Sequence, residues 1–172
     1  PLMLMQNAYD NICHEHIYYY SLNSIYKLFA SNGFKLVDCD INAVNCGSIR
    51  VYLQKNTASE DSYANSHVRD IANMKVQSFL EYEFYHCDIS KQYVWDDFQE
   101  RVNFETDKLV KFLQKCKIDN KRVFGYGAST KGNTILQYAN ITPDLLECIV
   151  ERQEHKFGLK TIGTDIPIIS ED

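Results

Sequence analysis

Three short segments carry side chains of the kinds that do chemistry. The first is Cys13-His14-Glu15-His16, two imidazoles and a carboxylate within three consecutive residues. Histidine suits proton transfer because its pKa lies near neutrality. The same side chains can ligate zinc. The helical metalloprotease motif, however, needs His at i and i+4 with Glu between them, and this spacing departs from it. In an extended segment His14 and His16 share a face, and a third ligand would have to come from elsewhere. No metal is expected. An acid–base role and a structural role, with the rings satisfied by hydrogen bonds, both stay open.

The second segment is Gly125-Tyr126-Gly127-Ala128-Ser129-Thr130-Lys131-Gly132. It follows a strand-like run and opens a helical one. Backbone N–H groups at such a helix start favour a phosphate, and Lys131 adds a formal charge. The dinucleotide fingerprint fails at Thr130, where Gly or Ala is required. The P-loop fails at Asn133, where Lys is required. A tight strand-to-helix turn that only permits close packing is the competing reading. Tyr126, Ala128, Ser129, Lys131 and Asn133 are the candidate contacts, and Gly125 to Gly132 is expected to meet the anionic part of a ligand. The third segment, Asn45-Cys46-Gly47-Ser48-Ile49-Arg50, enters a strand; Gly47 reads as a turn or bulge. Arg50 reads either as an exposed strand charge or as a substrate contact. Tyr18, Tyr19 and Tyr20 suit ring stacking, core packing or an interface.

These side chains need elements to position them. Ser21 can cap a helix in which Leu22, Ile25, Tyr26 and Phe29 share a face, with Asn32-Gly33 as its stop. Phe34 to Ile41 is strand-like. Ser48 to Gln54 alternates Ile49, Val51 and Leu53 against Arg50, Tyr52 and Gln54, the period of a half-buried strand. Asn56 to Tyr63 reads as a linker. Helices are predicted over about 65–85 and 93–117, the second with a stripe of Phe98, Val102, Leu109, Phe112 and Leu113. Lys121 to Tyr126 reads as a strand, Gly127 to Gly132 as a turn, Asn133 to Asn140 as a helix and Glu147 to Glu151 as a second strand. That is a βαβ unit, the start of a Rossmann-like lobe. With only three residues after Ile166 to Ile169, the lobe is expected to stop short. Pro1 to Met5 lacks an initiator and a cap and reads as the interior of a longer chain.

Composition narrows the function classes. At 172 residues and 45% hydrophobic the chain can bury a real core. A net charge of −5 argues against nucleic acid, which needs a dense Lys/Arg face. No apolar run approaches the roughly 20 residues of a membrane span, and no export signal opens the chain. The six cysteines show no CxxC spacing, so they read as reduced, mostly buried thiols of a cytoplasmic protein.

Residues 14–53, HEHIYYYSLNSIYKLFASNGFKLVDCDINAVNCGSIRVYL, resemble the closing half of the catalytic domain of S-adenosylmethionine-dependent sugar C-methyltransferases. Residues 122–168, RVFGYGASTKGNTILQYANITPDLLECIVERQEHKFGLKTIGTDIPI, resemble the lobe that follows it. The better-known members methylate C-3 of nucleotide-linked 4-keto deoxysugars. The resemblance implies an α/β chain in three parts. Residues 1–62 would end a class I methyltransferase-like sheet with an antiparallel strand pair, 63–118 would be a helical connection, and 119–172 would begin the Rossmann-like lobe. It implies His16 as catalytic base and Glu15 as the carboxylate beside it. His14, Arg50, Tyr126, Ala128, Ser129, Lys131 and Asn133 would face a nucleotide-sugar substrate. S-adenosylmethionine would bind mostly outside this chain, which by itself would be inactive. The chain departs from the family pattern at Cys13, where Tyr is usual, and at Cys46, where Gly is usual. Two other classes compete. One is a Rossmann-like nucleotide or nucleotide-sugar binding module without methyl transfer, for which Glu151, at the end of the second strand, would be the ribose-binding acid. The other is a non-catalytic interaction fragment.

Overall fold

A computed structural model describes residues 1–44, 47–56 and 66–172, with side chains from residue 69 onward in the last stretch. The fold is mixed α/β, with one antiparallel strand pair and one parallel three-stranded sheet. The chain forms two compact units. One contains residues 1–8 and 18–98, the other residues 9–17 and 99–172.

In the first unit, a short helix α1 (Leu2–Met5) precedes α2 (Leu22–Ala30). Helix α2 starts where the sequence predicts, because Ser21 and Ser24 form a reciprocal cap: Ser24 N donates to Ser21 Oγ at 3.0 Å and Ser21 N to Ser24 Oγ at 2.8 Å. Strands β1 (Phe34–Asn42) and β2 (Ser48–Lys55) pair antiparallel as expected, with a register shift between Leu36 and Asp38. The alternation in β2 also holds. Ile49, Val51 and Leu53 pack with Leu22, Leu36, Cys39 and Val76 under helices α2 and α3 (Ser66–His86), and Arg50 and Tyr52 stay exposed. Burial pushes the Cys39 thiol pKa up. One link was not foreseen. Glu83, buried on α3, accepts from the N–H groups of Leu22 at 2.7 Å and Asn23 at 3.0 Å. A carboxylate on one helix thus caps the orphan donors of another and complements its dipole. The linker expected over Asn56 to Tyr63 lies outside the described residues from residue 57 on, as does the departure at Cys46.

Helix α4 (Gln92–Ile118) matches the predicted span, but its buried stripe differs. Phe98, Val102, Thr106, Leu113 and Cys116 are buried, whereas Phe112 is 60% exposed. Phe112 stands about 100° from Leu113 on a helix of 3.6 residues per turn, so both cannot face one core. In the second unit, β3 (Phe124–Tyr126), α5 (Thr130–Tyr138) and β4 (Cys148–Glu151) form the predicted βαβ unit. Strand β3 is shorter than Lys121 to Tyr126. Helix α5 begins at Thr130 rather than Asn133, because Ser129 caps it: its Oγ accepts the Gly132 N–H at 3.0 Å. The lobe also goes a step further than predicted. Strand β5 (Ile168–Ser170) pairs parallel with β4, so β4 is the central strand in the order β3-β4-β5. Leu113, Leu136, Ile141, Leu146, Ile149 and Ile166 form its core.

Candidate functional site

The second unit brings the Cys13 to His16 segment and the glycine turn together. Tyr9 to Asn11 form a 3-10 turn that packs on α5, and the Tyr9 and Tyr138 rings lie 5.5 Å apart. Those contacts hold the start of a chemistry-bearing segment against the helix that the glycine turn opens. Between them lies a cavity of about 570 Å³, within the range of small-molecule sites. Cys13 and His14 line it from one segment; Tyr126, Ala128, Ser129 and Asn133 line it from the turn and α5. Ile149 and Leu146 form apolar wall, and Lys160 adds a cation.

His16 and Glu15 belong to the same unit but do not line the cavity. The His16 ring is oriented by a backbone bond: Nδ1 lies 2.7 Å from the Asn11 carbonyl oxygen. A carbonyl only accepts, so Nδ1 carries the hydrogen. In the neutral ring the basic lone pair is then on Nε2. Lys131 is half-buried on the first turn of α5, off the cavity wall. Arg50 belongs to the other unit, on the exposed face of β2, where it pairs in register with Asp40. Asp40 also takes Lys75 Nζ at 2.8 Å; that hydrogen bond, with smaller help from Arg50, lowers its pKa. Asn133 lines the cavity with an amide oxygen that is buried and has no hydrogen-bond partner among the described residues, an unusual state for a polar atom.

The donors of the glycine turn are divided. Gly127 takes a positive φ of 84° and its N–H donates to the Val150 carbonyl at 2.8 Å. The Ala128 N–H donates to the Glu151 carboxylate at 2.9 Å. The Gly132 N–H is taken by the Ser129 cap. The N–H groups of Ser129, Thr130 and Lys131 donate to no other group among the described residues. Glu151 is therefore committed to backbone. It accepts from Ala128, Gln153 and Arg152, with Lys156 beside it, and these bonds, that from Ala128 first, lower its pKa to about 2. A ribose-binding acid needs lone pairs to offer to sugar hydroxyls, and this one has none left. Tyr126, a lining residue that is 70% exposed, donates its hydroxyl to Glu171 at 2.7 Å, and Arg152 Nε holds the same carboxylate at 2.8 Å.

Sequence reasoning missed Glu83 as a cap and the inward turn of Glu151. It also missed Lys156, Lys160 and the anchoring of residues 9–11 on α5. The Ser129 cap had a legible signal, a serine immediately before the helical run. The other features depend on tertiary contacts between distant residues and had none.

Among the described residues no cluster of three or more His, Cys, Asp or Glu side chains could hold a metal ion. No helix among them is long and apolar enough to cross a membrane. Residues 43–172 match the family described as the C-methyltransferase C-terminal domain. Over 168 residues the chain is 30% identical to C-methyltransferase NovU of Streptomyces niveus, an alignment covering 98% of this chain and 37% of that protein. The chain thus spans little more than a third of that relative's length. With most of its residues inside the family match, the chain belongs to the C-methyltransferase C-terminal domain family.

Proposed function

We propose that the chain forms the acceptor side of a C-methyltransferase. The complete enzyme would move a methyl group from S-adenosylmethionine to a carbon next to the ketone of a nucleotide-linked keto-deoxysugar. The observation that carries this reading is His16, whose Nδ1–H is spent on the Asn11 carbonyl so that Nε2 is the basic atom. The ketone acidifies the neighbouring C–H. His16 Nε2 takes that proton, the carbon becomes the nucleophile of an enolate, and a new C–C bond forms as the methyl–sulfur bond breaks. S-adenosylmethionine supplies the electrophilic methyl. Glu15 orients or tunes groups beside the base.

The nucleotide would occupy the cavity beside His14. Its diphosphate would meet the N–H groups of Ser129, Thr130 and Lys131 and the Lys131 ammonium, a helix start suited to anions. Ala128 would contribute surface only, since its N–H is already bonded. The Asn133 amide oxygen would accept from a donor on the ligand, and Tyr126 would offer its exposed ring. Arg50 is a proposed substrate contact on the family resemblance alone. The family resemblance further suggests that β1 and β2 close a class I methyltransferase sheet, with functional divisions near residues 62 and 118. Free cysteines among the described residues fit a reducing, cytoplasmic setting.

The methyl-donor site is proposed to lie outside these residues. The glycine turn does not fit it, because its acid and the Ala128 donor satisfy each other. Calorimetry of the 172-residue chain tests this division of labour. A nucleoside diphosphate should bind and S-adenosylmethionine should not. A stoichiometric, micromolar isotherm with S-adenosylmethionine would place the donor site here and refute the reading.

A further inference from the structure

We infer that Glu151 is the resident anion of a four-donor nest at the glycine turn, and that it bars an external phosphate from that position. Each carboxylate oxygen receives two donors. Oε2 takes the Ala128 N–H at 2.9 Å and Lys156 Nζ at 3.2 Å; Oε1 takes the N–H groups of Arg152 at 2.8 Å and Gln153 at 3.2 Å. Lys156 also donates to the Ala128 carbonyl at 2.9 Å, which fixes the cation to the same turn. The side chain of Glu151 is only 10% exposed. Three convergent backbone N–H groups and an ammonium are the donor set that proteins use for oxyanions. Here the oxyanion is part of the chain.

The position gives the nest its consequence. In parallel α/β sheets the turn after one strand takes a pyrophosphate, and the acid at the end of the next takes a ribose. In this lobe the acid folds back onto the turn and satisfies it. The ribose acceptor and a phosphate donor are consumed by one contact, so a dinucleotide finds neither. Anionic ligands entering the cavity are left the N–H groups of Ser129 to Lys131, one residue further on. The inference uses only groups of this lobe and stands whether or not the proposed methyl transfer does.

The test is an NMR titration of the chain with orthophosphate at matched ionic strength, followed at the amides of Arg152 and Gln153, which belong to the nest alone. In the wild-type protein these amides should stay unmoved. In Glu151→Ala they should shift saturably, with at least about 10-fold tighter phosphate binding, and phosphate but not chloride should raise the Tm by mass action. Adding Lys156→Ala should remove most of the gain. Glu151→Gln keeps the side-chain shape and guards against misfolding; it should gain less, because the amide still fills part of the nest. Separate shifts at Thr130 and Lys131 report the proposed diphosphate site, so the two readings fail independently. Saturable shifts at Arg152 and Gln153 in the wild-type protein overturn the inference. So does saturable NAD binding by the wild-type protein, or a folded Glu151 variant with no gain.

Discussion

Gly125 sits where β3 approaches β4 too closely for a side chain. In the parallel register Gly125 pairs with Ile149, which is 4% exposed in the lobe's core. A Cβ at residue 125 would stand 2.9 Å from Ile149 Cγ1 and 3.5 Å from Leu146 Cδ2. Unstrained carbon contacts lie near 3.5–4.0 Å, so the shortfall is about 0.6 Å or more. Ladder hydrogen bonds hold both strands, so the strain falls on the Ile149 side chain, at a cost of about 1–3 kcal/mol for overpacking. Lost entropy of the unfolded glycine returns about 0.4–1 kcal/mol. Gly125→Ala should therefore destabilise the lobe by about 1.3 kcal/mol, the difference between the midpoints of those two contributions. Ile149→Ala alone removes the clashing atom and costs about 2–5 kcal/mol. The double variant should be more stable than the sum by at least about 1 kcal/mol, because the new methyl enters the space left by Ile149. The chain has two units, so the readout is native-state hydrogen exchange at β4 amides, which reports this lobe by itself. A Gly125→Ala cost below about 0.5 kcal/mol, or additivity of the two variants within that margin, refutes the packing argument.

Four further outcomes are expected. Glu83→Ala should cost about 1.5–3 kcal/mol by urea unfolding, as it strips the buried Leu22 N–H and the more exposed Asn23 N–H of their charged acceptor; an effect under about 0.5 kcal/mol would deny the cap. Ser129→Ala should cost about 1 kcal/mol and fray the start of α5, read as faster exchange at Gly132. Because the folded-state pKa of Glu151 is depressed to about 2, its stabilisation is complete above the unfolded carboxylate pKa and is lost progressively as pH falls from there through the folded value near 2. The acid limb of the unfolding profile should flatten in Glu151→Gln, and an unchanged limb would contradict the assignment. Lys131→Ala should weaken nucleotide-sugar binding in the complete enzyme without touching S-adenosylmethionine binding; equal loss of both, or of neither, counts against the diphosphate site.

What the sequence made legible was periodic or local. The alternation from Ile49 to Leu53 announced a half-buried strand, and Ser21 announced a helix start; both sit where they were read. Phe112 was misplaced because apolar type was weighed above angular position, and Thr106, a polar residue on the true stripe, was passed over. Helix α5 was started late because Gly127 to Gly132 was read whole as a glycine-bearing turn, whereas the Ser129 cap opens the helix inside it. At the candidate site, the types at Cys13 to His16 and Gly125 to Gly132 were visible. Their assembly in one unit was not, since it depends on Tyr9 meeting Tyr138 across more than a hundred residues. Glu151 was read from its position in a strand order, as a ribose acid. Three of its four partners, Arg152, Gln153 and Lys156, lie within five residues of it, but its inward turn onto Ala128 depends on a contact 23 residues away, which no spacing encodes.

The central claim is that His16 removes the proton beside a sugar ketone. It is tested most directly by incubating the complete enzyme with a nucleotide-linked 4-keto deoxysugar in deuterated water, without methyl donor, and following that C–H by NMR. The wild-type protein should exchange it for deuterium, and His16→Asn, with folding intact, should do so about 10²- to 10⁴-fold more slowly, the usual worth of a general base. Exchange at the wild-type rate in His16→Asn would contradict the account.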